Sequence, residues 1–446
     1  MPHSGRSAWW RIGPLLLALA FSLCVLPVAV WGAPATSEAA DESAAHLPTV
    51  LQFAAQLPAP DLRDYPSATG PAYHLALAVA SRLGAGTVQL RLISATAGLA
   101  LVLLAWRGAA RFCGPGVATA LALAPLCSSY VLSGSAWLTT DIASVLLGSA
   151  AVGLAAWATP SAATFLAVAV LFASALCVRQ TNLFLAAPVI VAGILASPLG
   201  RSASPAEQWA GDEPRAWRRL AGSVAALLPG AALLGALAAA WGGMTPAHFR
   251  HLHDRGINPV AFPYGLALVG AWGSLLLLPM AAEAVSAVRR HALAVAMLAV
   301  LAGVAAALPA SDWSREDGRW GGALWTLVRH LPTLDGRSPV VVLGAMAGAV
   351  VLSVLWIRAA EVGRGRHATV VTVALLALFA VQVGNSQVWE RYFDPAILVS
   401  IAWLTAMGLG PTRPHSSGRA VVGALLLAAA QAAISVLNYA LPAIRG

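Results

Sequence analysis

The chain has 446 residues, of which 59% are hydrophobic and only 10% are charged, and its mean hydropathy is +0.75. A soluble chain carries about 25% charged residues, so this composition excludes a soluble multidomain protein and predicts a polytopic membrane protein. All 27 basic residues are arginine, which excludes a P-loop lysine, a Schiff-base enzyme and a lysine general base. The four cysteines form no Cys-x-x-Cys or Cys/His pattern, so neither zinc nor a disulfide framework is expected.

The apolar runs predict one integral membrane domain, residues 1–446, that is all-α with about 11–14 transmembrane helices. The first run follows Arg6 and Arg11, and its length favours a retained signal anchor over a cleaved signal peptide. The predicted runs lie near residues 13–32, 91–106, 114–133, 141–158, 161–178, 182–198, 220–241, 262–281, 292–309, 339–357, 368–384, 395–410 and 420–441.

The arginines also predict an orientation. With the N-terminus in the cytoplasm, more than half of the arginines and few of the acids fall on the cytoplasmic side. The long loops at 33–90, 242–261, 310–338 and 385–394 then lie on the extracytoplasmic face, where chemistry is expected. The arginines stand singly or in pairs between apolar runs, so the net charge of +9 is a topology signal and predicts no nucleic-acid partner. Abundant Ala, Gly, Arg and Pro without lysine is typical of a GC-rich genome, which suits a bacterial cytoplasmic membrane with the active site facing outward. In a eukaryote, the same topology would place the active site in the endoplasmic reticulum lumen.

Polar residues of known catalytic types open the first extracytoplasmic loop, residues 33–90. The acidic pair Asp41-Glu42 is followed by His46, and later by Tyr65-Pro66 and Gly70-Pro71-Ala72-Tyr73. Short apolar stretches between them predict amphipathic helices. A carboxylate just outside a first membrane span is well placed to take a proton from the attacking hydroxyl of a lipid-borne substrate.

These features resemble the GT-C glycosyltransferases, multispan enzymes that use polyprenyl-phosphate sugars. The resemblance rests on the acidic pair after the first span, the Tyr-Pro and Gly-Pro segments, and an Arg-Leu pair that opens the second span. Within this superfamily, residues 35–200 resemble the dolichyl-phosphate-glucose α-1,2-glucosyltransferases of N-glycan precursor assembly. The matching motifs are Asp41-Glu42 with His46, Thr140-Asp141, and Arg179-Gln180-Thr181-Asn182. Glu390-Arg391-Tyr392 resembles the Arg-Tyr segment before the last spans of many GT-C enzymes.

The resemblance implies a GT-C-like helical bundle and an inverting glycosyltransferase. This enzyme would move a hexose, with glucose expected, from a polyprenyl-phosphate donor to a hydroxyl of a lipid-linked or cell-surface glycan. Asp41 is then the general base, with Glu42 beside it and Asp141 as the acid that orients the acceptor or a metal. The implied substrate-binding residues are His46, Tyr65, Arg179, Gln180, Thr181, Asn182, His251, Glu390 and Arg391.

No cofactor is expected to be obligatory, because arginine can neutralise the leaving lipid phosphate. A divalent cation stays open as an alternative, and no metal ligands are assigned. His248 and His251 have a spacing that suits a metal in a helix, but a loop that contacts substrate or lipid headgroups is favoured. Glu390 is expected to form an ion pair with Arg391.

The same residues have plainer interpretations. Asp41 and Asp141 would each suit a helix cap, and Arg179 an interfacial anchor. The loop tryptophans either stack on sugar rings or form an interfacial aromatic belt: Trp313, Trp320 and Trp325.

A transporter or flippase of lipid-linked sugars is the alternative function. It predicts polar or charged residues inside the spans and repeated halves of the chain. The apolar runs here are nearly free of charge and no repeat is visible, which favours chemistry at the membrane surface. A catalytically inactive sugar-binding relative is a third alternative.

Overall fold

A computed structural model describes residues 9–32, 36–197, 213–250, 256–410 and 414–445. Over these ranges the chain is helical and contains no β-strand, only two isolated β-bridges. The first ten helices are α1 (Trp9–Trp31), α2 (Ser37–Asp41), α3 (Leu47–Gln56), α4 (Ala72–Arg82), α5 (Thr87–Ala109), α6 (Pro115–Cys127), α7 (Ser129–Ala136), α8 (Thr140–Trp157), α9 (Ala162–Val178) and α10 (Ala186–Leu195).

The described part of the second half contains ten more helices. They are α11 (Glu213–Ala225), α12 (Leu228–Trp241), α13 (Ala261–Leu277), α14 (Ala281–Arg290), α15 (Ala292–Ala307), α16 (Ala323–Arg329), α17 (Pro339–Glu361), α18 (Gly365–Gln382), α19 (Asp394–Gly408) and α20 (Pro414–Arg445). One π-helical turn, Glu42–His46, joins α2 to α3. The 3₁₀ turns are Gln180–Leu185, Ala247–Phe249, Leu278–Met280 and Glu390–Tyr392.

Eight helical segments of the described residues are long and apolar enough to cross a membrane. Helices α6 and α7 form a ninth candidate, bent by 65°. Four further apolar segments are shorter: Ala162–Val178, Gln180–Leu195, Ala292–Ala307 and Asp394–Gly408. The predicted total of about 11–14 spans included these shorter segments as well. The chain is an integral, multi-pass membrane protein.

Small residues bring α13 and α17 into close contact. A Cβ at Gly348 would lie 1.9 Å from the carbonyl oxygen of Leu266, and one at Gly270 would lie 2.3 Å from that of Gly344. Only glycine fits at these positions, because the two backbones touch without side chains between them. Contact through small residues is a common mode of helix association in lipid, where burial of apolar surface drives association little.

The break between α6 and α7 has a local cause. Pro125 lies in the last turn of α6, and Ser128 caps α7 by accepting a hydrogen bond from the Val131 N–H at 3.5 Å. The Ser128 hydroxyl also donates to Asp394 Oδ2 at 2.6 Å. The Ser128 side chain thus satisfies one N–H group of the first turn of α7 and ties the break to the first residue of α19.

The segment between α1 and α5, predicted as the first extracytoplasmic loop and here called the first outer loop, packs around a small hydrophobic core. This core includes Phe53 and Tyr65 of the loop and Trp241 at the end of α12. The predicted short helices of this loop are present as α2, α3 and α4. The loop docks onto the end of α9, where Gly70 N–H donates to the Val178 carbonyl at 3.1 Å. A Cβ at Gly70 would lie 2.1 Å from the carbonyl oxygen of Cys177. The docking therefore requires glycine, and it places the loop beside the residue that follows α9.

Candidate active site

Four segments that the sequence singled out meet in one place. They are the end of α2, the start of α8, the residue after α9, and the 3₁₀ turn before α19. They bring together a charged quartet, which consists of Asp41, Asp141, Arg179 and Arg391. Arg391 Nη1 donates to Asp41 Oδ2 at 2.6 Å, and its Nε lies 4.0 Å from Asp141 Oδ2. Arg179 forms an ion pair with Asp141.

The quartet is buried unevenly. The exposed fractions of the side chains are 9% for Arg391, 11% for Asp141, 15% for Arg179 and 36% for Asp41. Two cations and two anions balance one another, as buried charges require. Asp41 is the most exposed of the four, so its carboxylate is the one that a ligand reaches most easily.

Aromatic rings orient both guanidinium groups. The Tyr392 ring centroid lies 4.6 Å from Arg179 Cζ and 5.3 Å from Arg391 Cζ. The ring of Trp389 lies 4.3 Å from Arg391 Cζ. Stacking on aromatic faces suits the planar guanidinium and leaves its N–H edges available for in-plane hydrogen bonds.

The π-helical turn positions Asp41. Thr36 caps α2 by accepting a hydrogen bond from the Ala39 N–H at 3.2 Å, and the helix continues into Glu42–His46. Asp41 makes no side-chain cap hydrogen bond, so the interpretation as a helix cap is wrong. π-Helical turns occur frequently at functional sites.

Glu42 anchors this turn to the bundle. Its two carboxylate oxygens each accept a hydrogen bond from Arg91 Nε at 3.0 Å, and Oε2 also accepts one from the Leu138 N–H at 2.8 Å. Arg91 belongs to α5, and Leu138 precedes α8. The adjacent acids therefore differ in their surroundings. Glu42 is buried and bonded to Arg91 and Leu138, while Asp41 contacts Arg391 of the quartet.

Asp141 lies in the first turn of α8. The cap position belongs to Thr139, so Asp141 is not the N-cap that its sequence context also allowed. A carboxylate in a first turn is still favoured by the positive end of the helix dipole. Its partner is Arg179, which faces it from the end of α9.

A narrow cleft of about 50 Å³ begins at the quartet and runs between α8, α18 and α19. The wall from α8 extends from Asp141 to Val152, about 16 Å of helix. The charged groups lie at one end, and the rest of the wall is mainly apolar with scattered serines. The apolar wall residues include Val145, Val152, Phe184, Leu375, Leu378, Ala396 and Trp403.

In the Arg-Gln-Thr-Asn segment, some residues line the cleft and others hold the surrounding loops together. Thr181 and Asn182 line the cleft. The Asn182 amide donates to Ser144 Oγ and to the Ala175 carbonyl, both at 2.8 Å. Gln180 Nε2 donates to the carbonyls of Ala68 and Met244 at 3.2 and 3.0 Å, and so ties two outer loops together. Direct contacts of these residues with a substrate stay predictions.

His46 and Tyr65 lie inside the first outer loop. The His46 ring stacks on His74, with Nδ1 2.9 Å from His74 Nε2. Burial lowers the pKa of His46 to about 3, and the positive charges of Arg391 and Arg179 add to the effect. His46 is therefore neutral at ordinary pH and lies within the field of the quartet. The Tyr65 hydroxyl donates to the Thr69 carbonyl at 2.7 Å, and the substrate contacts predicted for both residues stay predictions.

The predicted ion pair between Glu390 and its neighbour Arg391 is not formed. Its carboxylate accepts hydrogen bonds from the Tyr264 hydroxyl at 3.1 Å and the Leu324 N–H at 2.9 Å. Burial, followed by the negative charge of Asp394, raises its pKa to about 8. Consecutive side chains of the 3₁₀ turn point in different directions, so Arg391 forms its ion pair with Asp41 instead.

Two residues of the neighbourhood were missed at the sequence level, Glu38 and Trp389. Glu38 is buried and precedes Glu42 by one helical turn, a spacing that would place both acids on one face.

His251 lies outside the described residues. Among the residues that are described, no group of three or more His, Cys, Asp or Glu side chains is arranged to hold a metal ion.

No family model matches the chain, and no curated protein matches it in sequence. Its structure is similar to the crystal structure of ArnT from Cupriavidus metallidurans bound to undecaprenyl phosphate, with a TM-score of 0.51 and 15% identity. The chain has a GT-C-like fold. The match covers 93% of this chain and 62% of the ArnT chain, so this protein spans about three fifths of the length of ArnT.

The structure of the same ArnT in the apo state gives a TM-score of 0.40 at 15% identity, covering 96% of this chain and 78% of that one. At this level of identity the likeness concerns the fold alone. The predicted fold class, an all-α polytopic bundle of the GT-C type, is confirmed.

Proposed function

We propose that this protein is an inverting GT-C glycosyltransferase that uses a polyprenyl-phosphate sugar donor on the extracytoplasmic face of the membrane. The observation that carries the proposal is a pair of arginines, Arg391 buried and Arg179 mostly buried, at the charged end of a narrow, mainly apolar cleft. The donor phosphate would meet Arg179 and Arg391, and the polyprenyl chain would follow the apolar wall between α8, α18 and α19. The undecaprenyl phosphate named in the ArnT structure supports this class of donor.

The ion pair between Arg391 and Asp41 suggests how donor binding prepares the base. A phosphate that accepts hydrogen bonds from Arg391 competes with Asp41 for the same guanidinium, and so frees the carboxylate. Asp41 then takes the proton of an acceptor hydroxyl, whose oxygen attacks the anomeric carbon. The bond from that carbon to the phosphate oxygen breaks with inversion, and the two guanidinium groups stabilise the departing phosphate. Asp141 holds Arg179 in place, and Glu42 fixes the turn that carries Asp41.

The resemblance at Arg179-Gln180-Thr181-Asn182 supports a hexose donor, with glucose as the first sugar to test. The acceptor would be a hydroxyl of a lipid-linked or cell-surface glycan. A divalent cation stays an optional partner of the donor phosphate. Assays with and without EDTA decide this point, because an ion that bridges the phosphate would make transfer sensitive to the chelator.

The test compares purified wild type with Asp41→Asn and with the matched control Asp61→Asn. Asp61 lies on the same outer loop, where its carboxylate accepts a hydrogen bond from the Arg63 N–H at 2.9 Å. Each protein receives radiolabelled glucosyl- or mannosyl-phosphoprenol and a membrane glycolipid extract. Loss of a general base lowers transfer by about 10²–10⁴-fold, so we expect that loss in Asp41→Asn, with donor binding retained and the control fully active.

The same assay can contradict the proposal. Equal transfer by Asp41→Asn and wild type would remove Asp41 from the mechanism and point to Asp141 as the base. A wild type that binds the donor, transfers no label and moves the donor across a vesicle bilayer would instead support a flippase.

A further inference from the structure

Arg391 also lines a second and larger space, here named the near cavity, of about 350 Å³. It lies between α2, the start of α7, the segment 320–323 and Trp389. A far cavity of about 410 Å³ lies between the segment 315–320 and the loop before Glu390. Trp320 lines both cavities. Because Arg391 belongs to the wall of the near cavity and of the donor cleft, it lies between the two spaces and borders both.

Three polar groups of residues that line the near cavity have no hydrogen-bond partner among the described residues. They are the hydroxyl of Ser133, which is buried, the indole N–H of Trp389, and the Nε of Arg391, which lies 4.0 Å from Asp141 Oδ2. Buried polar atoms in proteins are nearly always paired with protein, water or ligand. The buried carboxylate of Glu38 lines the same cavity. The near cavity therefore offers a donor, a hydroxyl and an acceptor to a ligand rich in hydroxyl groups.

The far cavity has the same character. The side-chain oxygen of Gln387 is buried and has no hydrogen-bond partner in the described part of the chain. Arg315, Glu316 and Asp317 add charges of both signs to the wall. A wall of this kind suits a neutral polar ligand better than a lipid chain, which would leave these groups unpaired.

Trp320 lines both cavities, which distinguishes it from Trp313 and Trp325, the other two tryptophans of the loop. Its ring meets that of Trp389 edge to face at 5.1 Å, and Arg315 Cζ lies 5.0 Å from its centroid. Trp325, by contrast, is fully buried and stacks on Tyr264 at 4.4 Å. An aromatic face beside hydroxyl, amide and carboxylate groups is the composition expected of a carbohydrate subsite, because sugar rings have an apolar C–H face and a polar rim.

We infer that the near and far cavities together bind the acceptor as a neutral glycan of at least two sugar rings. One ring occupies the near cavity beside Glu38 and Trp389, and the next lies beyond Trp320 in the far cavity. This inference rests on the proposed function, since it delivers the acceptor hydroxyl to the quartet while the donor phosphate occupies the cleft.

The test measures the binding of immobilised neutral glycans to the intact protein in lipid nanodiscs. The probes are gluco-, galacto- and manno-oligosaccharides of one to four rings. For the preferred series, we expect wild type to retain the two-ring glycan about tenfold more strongly than the one-ring glycan. Trp320→Ala should lose this gain, and Trp320→Phe should keep part of it. Trp313→Ala is the matched control, because Trp313 lies on the same loop and contacts Arg329 instead.

Three results would overturn the inference: no retention of any glycan of two or more rings by wild type, equal retention of one and two rings, or the same loss in Trp313→Ala as in Trp320→Ala. Cleavage of labelled glucosyl- or mannosyl-phosphoprenol by water, measured in parallel, separates this inference from the proposed function. Donor cleavage without glycan retention would refute the glycan site alone. Glycan retention that grows with length, without donor cleavage, would support the site and count against the transferase.

Discussion

The ion pair between Arg179 and Asp141 allows the phosphate-clamp hypothesis to be separated from a purely structural role. Removing one partner of a buried pair costs about 3–5 kcal/mol of folding free energy, because the other charge stays buried. In Arg179→Met, Arg391 Nε at 4.0 Å from Asp141 still offers partial compensation. We therefore expect a loss of about 3 kcal/mol, at the lower end of this range.

The double variant Arg179→Met/Asp141→Asn should cost clearly less than the sum of the single variants. It leaves neither charge uncompensated, so we expect a coupling energy of about 2 kcal/mol, within the range seen for residues in one ion-pair network. The free energy of unfolding would be measured in mixed detergent micelles. Arg290→Met is the control, since its pair with Glu361 is half exposed and should contribute less than about 1 kcal/mol.

The same two single variants should differ in their affinity for the donor. A hydrogen bond to a charged group contributes about 1.5–3 kcal/mol, so Arg179→Met should weaken the binding of a polyprenyl-phosphate sugar by about 10–150-fold. Asp141→Asn keeps the guanidinium and should bind the donor at least as well as wild type, because one competing carboxylate is gone. Equal loss of donor affinity in both single variants would refute the clamp and leave Arg179 as a structural partner of Asp141.

Three further changes test the surroundings of the quartet. Glu42→Gln removes the carboxylate that anchors the turn of Asp41, so transfer should fall by about 10²-fold while the donor Kd is unchanged; an unchanged rate would show that the anchor is dispensable. Gly70→Ala places a Cβ 2.1 Å from the Cys177 carbonyl, and a lowered Tm together with reduced transfer is expected. Glu390 holds a proton in the folded protein up to a pKa of about 8, whereas its ordinary value is 4.5. Its stabilising contribution is therefore complete below pH 4.5 and is lost as the pH rises towards 8, by up to about 1.4 kcal/mol per pH unit. Glu390→Gln should flatten this part of the profile of unfolding free energy against pH, and an unchanged slope would contradict the assignment.

The fold was predictable because lipid imposes a simple rule. Long apolar runs must become helices, and most of the described helices fall in the predicted runs. The bend between α6 and α7 was not predicted, since it depends on how Ser128 is satisfied by Asp394, far away in the chain. The sequence shows that Pro125 disfavours a continuous helix, but it does not show the distant residue that stabilises the bend.

The quartet was predictable residue by residue but not in its pairing. Asp41 and Arg391 are separated by 350 positions, and nothing local indicates that they touch. Proximity in sequence favoured Glu390 as the partner of Arg391, whereas the 3₁₀ turn sends the two side chains apart. The unpaired hydroxyl of Ser133 is equally invisible in the sequence, because only the structure shows that no described residue bonds to it.

Arg391 links the two halves of the proposed reaction. It contacts the proposed base Asp41, lies 4.0 Å from Asp141, and forms part of the wall of both the donor cleft and the near cavity. In the proposed reaction, the contact with Arg391 occupies the Asp41 carboxylate until a donor phosphate competes for the same guanidinium. An acceptor hydroxyl would then meet a free carboxylate only after the donor has bound. This order protects the chemistry, since an acceptor or water molecule that arrives without a donor meets a base that is already engaged.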